Sequence, residues 1–269
     1  MNTAQLTDQP PIPQEEALDW TAVFKMEIRE NEEKLVPLSL AEPRILVRSA
    51  YYSAGIERAL PDCYARDEIR RRLLKVDSFL PEGLRLVILD CWRSKETQIA
   101  LFESCRAALE KVHPQVDSDG IRVMTEEFVA PPSLNPERPS PHSTGGAVDL
   151  TIATLDGVPL PMGAPFDYPG PVSNTRFYEE RVEQGLELSA DEKEALYNRR
   201  LLYDVMIRAG FVNYHGEWWH FEYGTQRWAA LKKKEHAIYG PRILTLNTFE
   251  ALMPNSSNQH ITSLVSAGG

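Results

Sequence analysis

Nowhere in these 269 residues do about eighteen apolar residues run together, so no membrane-spanning helix is expected. The first twenty residues also lack a basic stretch followed by an apolar one. They carry Gln9-Pro-Pro-Ile-Pro-Gln14 and several acids instead, so no export signal is visible and a cytoplasmic location is expected. Basic charge is scarce: 29 Lys and Arg stand against 39 Asp and Glu, for a net charge of -10. Nucleic-acid partners want a concentrated basic surface, and the run Lys232-Lys233-Lys234 reads as a solvated helix face, so no nucleic acid and no membrane are expected as partners. The three cysteines, Cys63, Cys91 and Cys105, form no CxxC pair and are odd in number, which suggests neither a disulfide framework nor a thiolate metal site. There is no internal repeat and no linker marked by a composition shift.

What is present is an ordinary globular composition, 42% apolar, long enough for one large domain. Residues 1–18 are polar and proline-rich and read as a flexible lead-in; 19–245 form the domain, and 246–269 read as a tail. Arg44 to Arg48 has a short strand-like run, followed by Tyr51 and Tyr52. Ile69, Leu73, Val76 and Leu80 recur at helical spacing and stop at Pro81 and Gly83. Leu84 to Leu89 reads as an inner strand delivering Asp90-Cys91-Trp92-Arg93 at its end. Ser94 can cap a following helix whose buried face is read as Ile99, Phe102, Cys105, Leu109 and Val112.

From 114 to 141 six prolines predict a long, mostly irregular connection bordering the site. Ala147 to Ile152 alternates as a half-buried strand, with Asp149 and Thr151 opposite Val148, Leu150 and Ile152, and Asp156-Gly157 turns it toward a partner near Val158 to Leu160. Ser189 to Glu192 is a capping box opening a helix that ends at Gly210. Phe211 to Tyr214 and Trp218 to Tyr223 read as two short strands about Gly216 or as one hairpin, and 226–236 as a brief helix. The expected fold class is α+β, a single domain with helices packed on a mixed or antiparallel sheet.

Chemistry concentrates in Ser140-Pro-His142-Ser-Thr-Gly145-Gly146-Ala-Val-Asp149 and, about seventy residues on, Glu217-Trp-Trp-His220. Two imidazoles and a carboxylate are the set that Zn²⁺ takes at a catalytic site with one position left for water. Gly145 and Gly146 let the backbone bend so that His142 and Asp149 can face one point. His142 equally fits an exposed loop histidine, and His220 a satisfied core histidine; a carboxylate in an apolar strand such as Asp149 must be paired or metal-bound. His215 is a competing ligand candidate. Glu217 and His220 share a side only if Glu217 is still in the turn after Gly216 and His220 lies in the strand. Arg93 can stabilise developing oxygen charge or simply pair with Asp90.

Taken together, Ser140-x-His142-x-x-Gly145-x-Ala147-x-Asp149, Met162-Gly-x-x-Phe-Asp167, Glu217-Trp-Trp-His220 and Asp90-x-Trp92-Arg93 resemble the zinc D-alanyl-D-alanine dipeptidases, the family that includes the vancomycin-resistance dipeptidases. The resemblance spans roughly Arg48 to Gly240. It implies one Zn²⁺ per chain held by His142, Asp149 and His220, with Glu217 as general base and Arg93 as transition-state stabiliser. It further implies that Asp167 receives a free ammonium, that Ser140 contacts substrate, and that Tyr51 or Tyr52 lies over the pocket. Family members often have glycine and tyrosine where this chain has Cys91 and Trp92, and the Met162 block is set slightly closer to Asp149. The implied activity is hydrolysis of D-alanyl-D-alanine to two D-alanines, serving D-alanine recovery from wall turnover or depletion of a wall precursor. The alternatives are a zinc D,D- or L,D-carboxypeptidase on muropeptides and a non-catalytic peptidoglycan-binding module. The expected partner is a small D,D-dipeptide; an oligomer is compatible with the sequence but not indicated by it.

Overall fold

The computed structural model describes residues 9–41, 45–133 and 135–245, so the expected tail at 246–269, the first part of the lead-in and Arg44 lie outside the described residues. The described part of the lead-in is anchored to the domain at Ile12, while most of its other residues are exposed. Ile12 is buried, its N–H donating to Glu179 and its carbonyl accepting from Arg176. Asp19 then caps helix α1 (Trp20–Lys25) by accepting from the N–H groups of Thr21 and Ala22.

Strands β1 (Leu35–Pro37) and β2 (Ile45–Val47) precede the single turn α2 (Ala50–Ser53). Strand β3 (Tyr64–Arg66) pairs with β1 in a small antiparallel ribbon. Helix α3 (Asp67–Phe79) buries Ile69, Leu73 and Val76, the residues whose spacing predicted it. Strand β4 (Leu84–Asp90) follows, then α4 (Lys95–Val112), whose first turn is capped by Ser94 accepting from Thr97 N–H.

The buried face of α4 differs from the sequence-based stripe. Thr97, Gln98, Leu101 and Phe102 are buried, whereas Ile99 and Val112 are exposed. The polar members go inside because they have partners there: the Thr97 hydroxyl donates to the carbonyl of Arg58, and the Gln98 amide bridges Arg93 and the carbonyl of Ala130. A second difference is α5 (Ser118–Phe128), which occupies part of the stretch expected to be irregular. Asp117 caps it, and Ile121 and Thr125 are buried one turn apart. The prolines that suggested irregularity all lie outside 115–130, where a helix meets no obstacle.

The turn α6 (Pro141–Thr144) leads into β5 (Ala147–Thr154), and α7 (Phe177–Glu183) precedes α8 (Ala190–Arg208), which carries the expected capping box between Ser189 and Glu192. The chain closes with β6 (Val212–Asn213), β7 (His220–Glu222) and α9 (Gln226–Leu231). The main sheet has the order β2-β4-β5-β7-β6, with β2 parallel to β4 and the other pairings antiparallel, a mixed sheet in an α+β domain. Beyond Asp156-Gly157 the return chain makes a single bridge, Ala153 to Pro159, in place of a full partner strand.

Strand β5 is central and buried on both faces, not half-buried. Val148, Leu150 and Ile152 join Leu73, Leu86, Ile88, Leu202, Val205, Met206 and Phe221 in one core, while Asp149 and Thr151 face the opposite way. Each such apolar side chain stabilises the fold by about 1.5–3 kcal/mol on burial. Among the described residues, no helix is long and apolar enough to cross a membrane. Leu202→Ala, in the α8 face of this core and fully buried, is expected to lower unfolding free energy by about 2–5 kcal/mol in urea denaturation.

Candidate active site

One row of residues runs across the sheet. Asp149 of β5 sits directly opposite His220 of β7, and on its other side opposite Asp90 at the end of β4, where the register shifts after Ile88. A register shift of this kind bends a strand and re-aims its side chains, and it is common beside active sites. His142 enters from α6. Gly145 ends that turn at φ 71°, and any side chain there would collide with Leu35; a Cβ on Gly146 would stand 2.6 Å from the carbonyl oxygen of Tyr223. The two glycines therefore permit both the bend and the close seating that bring His142 to the end of β5.

His142, Asp149 and His220 are all buried, and one donor atom of each lies within 4.8 Å of the others. The tautomers follow from the outer partners. His142 Nδ1 is 2.6 Å from the carbonyl oxygen of Cys91, which can only accept, so Nδ1 carries the hydrogen and Nε2 is left as a lone pair. His220 Nε2 is 3.1 Å from Glu222 Oε1, and a hydrogen on Nε2 donated to that oxygen leaves Nδ1 bare. His220 Nδ1 stands 3.2 Å from His142 Nε2 and 2.9 Å from Asp149 Oδ1, and His142 Nε2 is 3.5 Å from Asp149 Oδ2. In that tautomer three acceptors converge with no hydrogen between them, an arrangement that a cation relieves. Two neutral imidazoles and a carboxylate suit Zn²⁺ in chemistry and in number, with a position to spare.

The titration behaviour agrees. Burial opposes charging His220, but the hydrogen bonds and charges of Asp149 and Glu222 outweigh it, and its pKa is pushed up to about 10. Burial depresses the pKa of His142. Asp149 is held below its ordinary value although burial pushes it upward, because His142 and His220 favour its charge.

Glu217 lies in the turn and His220 begins the strand, as the spacing required. Glu217 N–H donates to the carbonyl of Tyr214, and Glu217 Oε2 comes 3.8 Å from His220 Nδ1. Burial, with the nearby charges of Asp149 and Asp167, raises Glu217 to about 7 against the opposing influence of His220. A carboxylate poised there can both accept and return a proton near neutrality.

Arg93 pairs with Asp90 and also faces the cavity. Its Nη2 is 2.7 Å from Asp90 Oδ2, its Nη1 is 2.6 Å from Gln98 Oε1, and its guanidinium lies 4.6 Å from the centre of the Tyr51 ring. Asp90 Oδ2 also reaches His142 Nδ1 at 3.2 Å, so one buried carboxylate braces both residues. Asp167 adopts φ 61°, a left-handed conformation, and accepts from the Tyr51 hydroxyl at 3.3 Å. Burial and the charge of Asp149 raise its pKa. Its loop is pinned by Arg199, whose guanidinium donates to the carbonyls of Met162, Val172 and Asn174.

A cavity of about 680 Å³ gathers Tyr51, Arg93, Ser140, His142, Asp149, Asp167, Glu217 and His220 on its walls. Tyr52 does not join them: one residue further round α2, it points outward and is half exposed. His215 is also outside, with Glu15 3.5 Å from its Nδ1. The pairing of Arg93 with Asp90 was one of the two readings of the sequence, but nothing local marked the supporting roles of Gln98 and Arg199. Only Glu222 left a local signal, since i and i+2 on a strand share a face and so Glu222 stands beside His220.

A family model described as D-ala-D-ala dipeptidase matches residues 57–238. A D-alanyl-D-alanine dipeptidase of Synechocystis sp. is 29% identical over 221 residues, covering 78% of this chain and 89% of that protein. One of Escherichia coli is 32% identical over 140 residues, covering 52% of this chain and 55% of that protein. Among solved structures, the LdcB LD-carboxypeptidase aligns over 85% of this chain and 88% of its own at 18% identity and a TM-score of 0.39. The zinc-bound vancomycin-resistance D,D-pentapeptidase VanY aligns over 68% and 84% at 20% identity and a TM-score of 0.39.

Proposed function

This chain belongs to the D-Ala-D-Ala dipeptidase family of peptidases, and from that membership we propose that it hydrolyses D-alanyl-D-alanine to two D-alanines with one zinc ion per chain. The observation that carries the reading is the convergence of His142 Nε2, Asp149 and His220 Nδ1 with Glu217 beside them in one cavity wall. His142, Asp149 and His220 hold the metal, which when bound polarises the scissile carbonyl and acidifies water.

Glu217 accepts the proton of the attacking water and passes it to the nitrogen of the breaking peptide bond, which leaves as the amine of the second alanine. Arg93 stays charged, its pKa raised by Asp90 and by neighbouring negative groups although burial opposes this, and it faces the oxygen on which negative charge develops. Asp167, with the Tyr51 hydroxyl fixing one oxygen, receives the free ammonium of the dipeptide. Ser140, at the start of α6, lines the same cavity and contacts the substrate backbone.

A second reading is a zinc carboxypeptidase acting on the end of a longer peptide. The cavity favours it, because its walls extend past the catalytic groups to Trp20 and Phe24 of α1 and to Phe128 of α5. The two readings differ at Asp167. Asp167→Ala is expected to lower kcat/KM for free D,D-dialanine by roughly ten- to a hundredfold, the worth of a charge-assisted hydrogen bond. It should leave an amino-blocked substrate nearly unaffected; equal losses on both would remove the ammonium role.

Glu217→Gln separates proton transfer from metal binding. Elemental analysis is expected to return near-stoichiometric zinc while kcat falls by about 10²- to 10⁴-fold. Loss of the metal together with activity would make Glu217 a ligand and the assigned set wrong.

A further inference from the structure

Glu222 is one of the most completely engaged carboxylates in the molecule. It is 2% exposed, and its backbone is fixed on both sides of β7, opposite Ala147 of β5 and Val212 of β6. One oxygen, Oε1, accepts from His220 Nε2 at 3.1 Å and from Arg227 Nε at 2.8 Å. The other accepts from the Thr225 hydroxyl. Arg227 is itself anchored, donating from Nη1 to the carbonyl of Asn213 at 2.6 Å. Thr225 caps α9, accepting from Trp228 N–H while donating its own hydrogen to Glu222.

This arrangement matters because His220 has two opposed invitations. Asp149 Oδ1 lies 2.9 Å from Nδ1 and Glu222 Oε1 lies 3.1 Å from Nε2, so each carboxylate attracts the single hydrogen of the neutral ring to its own side. A hydrogen on Nδ1 would cap the atom that faces His142 and Asp149. A hydrogen on Nε2 leaves that atom free to donate its lone pair inward. Only the second form can ligate.

We propose that Glu222, held in place by Arg227 and Thr225, is a positioning residue that selects the ligating tautomer and ring orientation of His220. It acts through the imidazole, at the ring nitrogen turned away from Asp149 and His142. The outer partner of a ligating histidine fixes its orientation and strengthens its donation, and removing such a partner weakens metal affinity by roughly 10- to 100-fold in general. The inference rests on the proposed metal site, and its test is chosen so that the two can fail separately.

The test is the zinc dissociation constant of the full chain, measured by competition with a chelator of known affinity, with thermal unfolding of the metal-free protein as a check on folding. Glu222→Gln keeps the size and one acceptor oxygen but removes the charge, and it is expected to weaken zinc binding by about 10- to 100-fold. KM for D,D-dialanine at saturating zinc should stay within about twofold, since the residues assigned to the substrate, Tyr51, Arg93, Ser140 and Asp167, are untouched. Glu179→Gln is the control, because Glu179 is just as buried and pairs with Arg200 away from the cavity. It is expected to lower the melting temperature while leaving zinc affinity unchanged. If Glu222→Gln does not fold, Arg227→Lys, which removes the Nε–H that Glu222 accepts, should weaken zinc in the same direction.

Unchanged zinc affinity in whichever Glu222 or Arg227 variant folds would overturn the proposal. So would an equal loss in Glu179→Gln, which would trace the effect to general destabilisation. If the unaltered chain takes up no zinc, the metal-site reading itself fails, a result separate from either of these.

Discussion

The pairing of Asp149 with His220 across β5 and β7 is the contact on which the site depends. Neighbouring strands set directly opposed residues about 5 Å apart, so register alone brings a carboxylate and an imidazole together. A slip of one residue would turn Asp149 into the apolar core and Leu150 or Val148 into the cavity. The core therefore protects the chemistry: Val148, Leu150 and Ile152 are fully buried on the opposite face and admit only one register. The same row continues to Asp90 on β4, which braces Arg93 and His142.

Such a site is costly in isolation. Buried carboxylates and imidazoles must be paired, because uncompensated charge in a low-dielectric interior opposes folding. Here the outer nitrogen of each histidine has an acceptor, Cys91 carbonyl for His142 and Glu222 for His220, and the inner atoms face one another. The raised pKa of His220 shows the same preference for positive charge at that centre. Glu217 reaches the cavity from a turn whose backbone is tied down, its N–H donating to Tyr214 and its carbonyl accepting from Asn213 and from the N–H of His220.

Much of this was legible in the chain, for identifiable reasons. Periodicity exposed α3 and α8 because their buried faces are apolar at regular spacing, and Ser189 with Glu192 marked the start of α8. The glycines after His142 were readable because only a residue without a side chain fits there. What escaped was set by tertiary contact. The buried face of α4 carries Gln98 and Thr97, whose partners Arg93 and the carbonyls of Ala130 and Arg58 come from other segments. Helix α5 was hidden by prolines on either side of it. Ile12 gave no local sign of docking, since its partners Glu179 and Arg176 are more than 160 positions away. Tyr51 and Tyr52 were indistinguishable until the direction of α2 was known.

The central proposal is one divalent cation held by His142 Nε2, Asp149 and His220 Nδ1. An anomalous difference map from crystals of the zinc-loaded chain, collected on both sides of the zinc absorption edge, tests it most directly. A single peak among those three atoms, with Glu217 beside it but not coordinating, is the expected result. A peak that takes Glu217 or a cysteine as a ligand, or no peak between the two histidines, would contradict it.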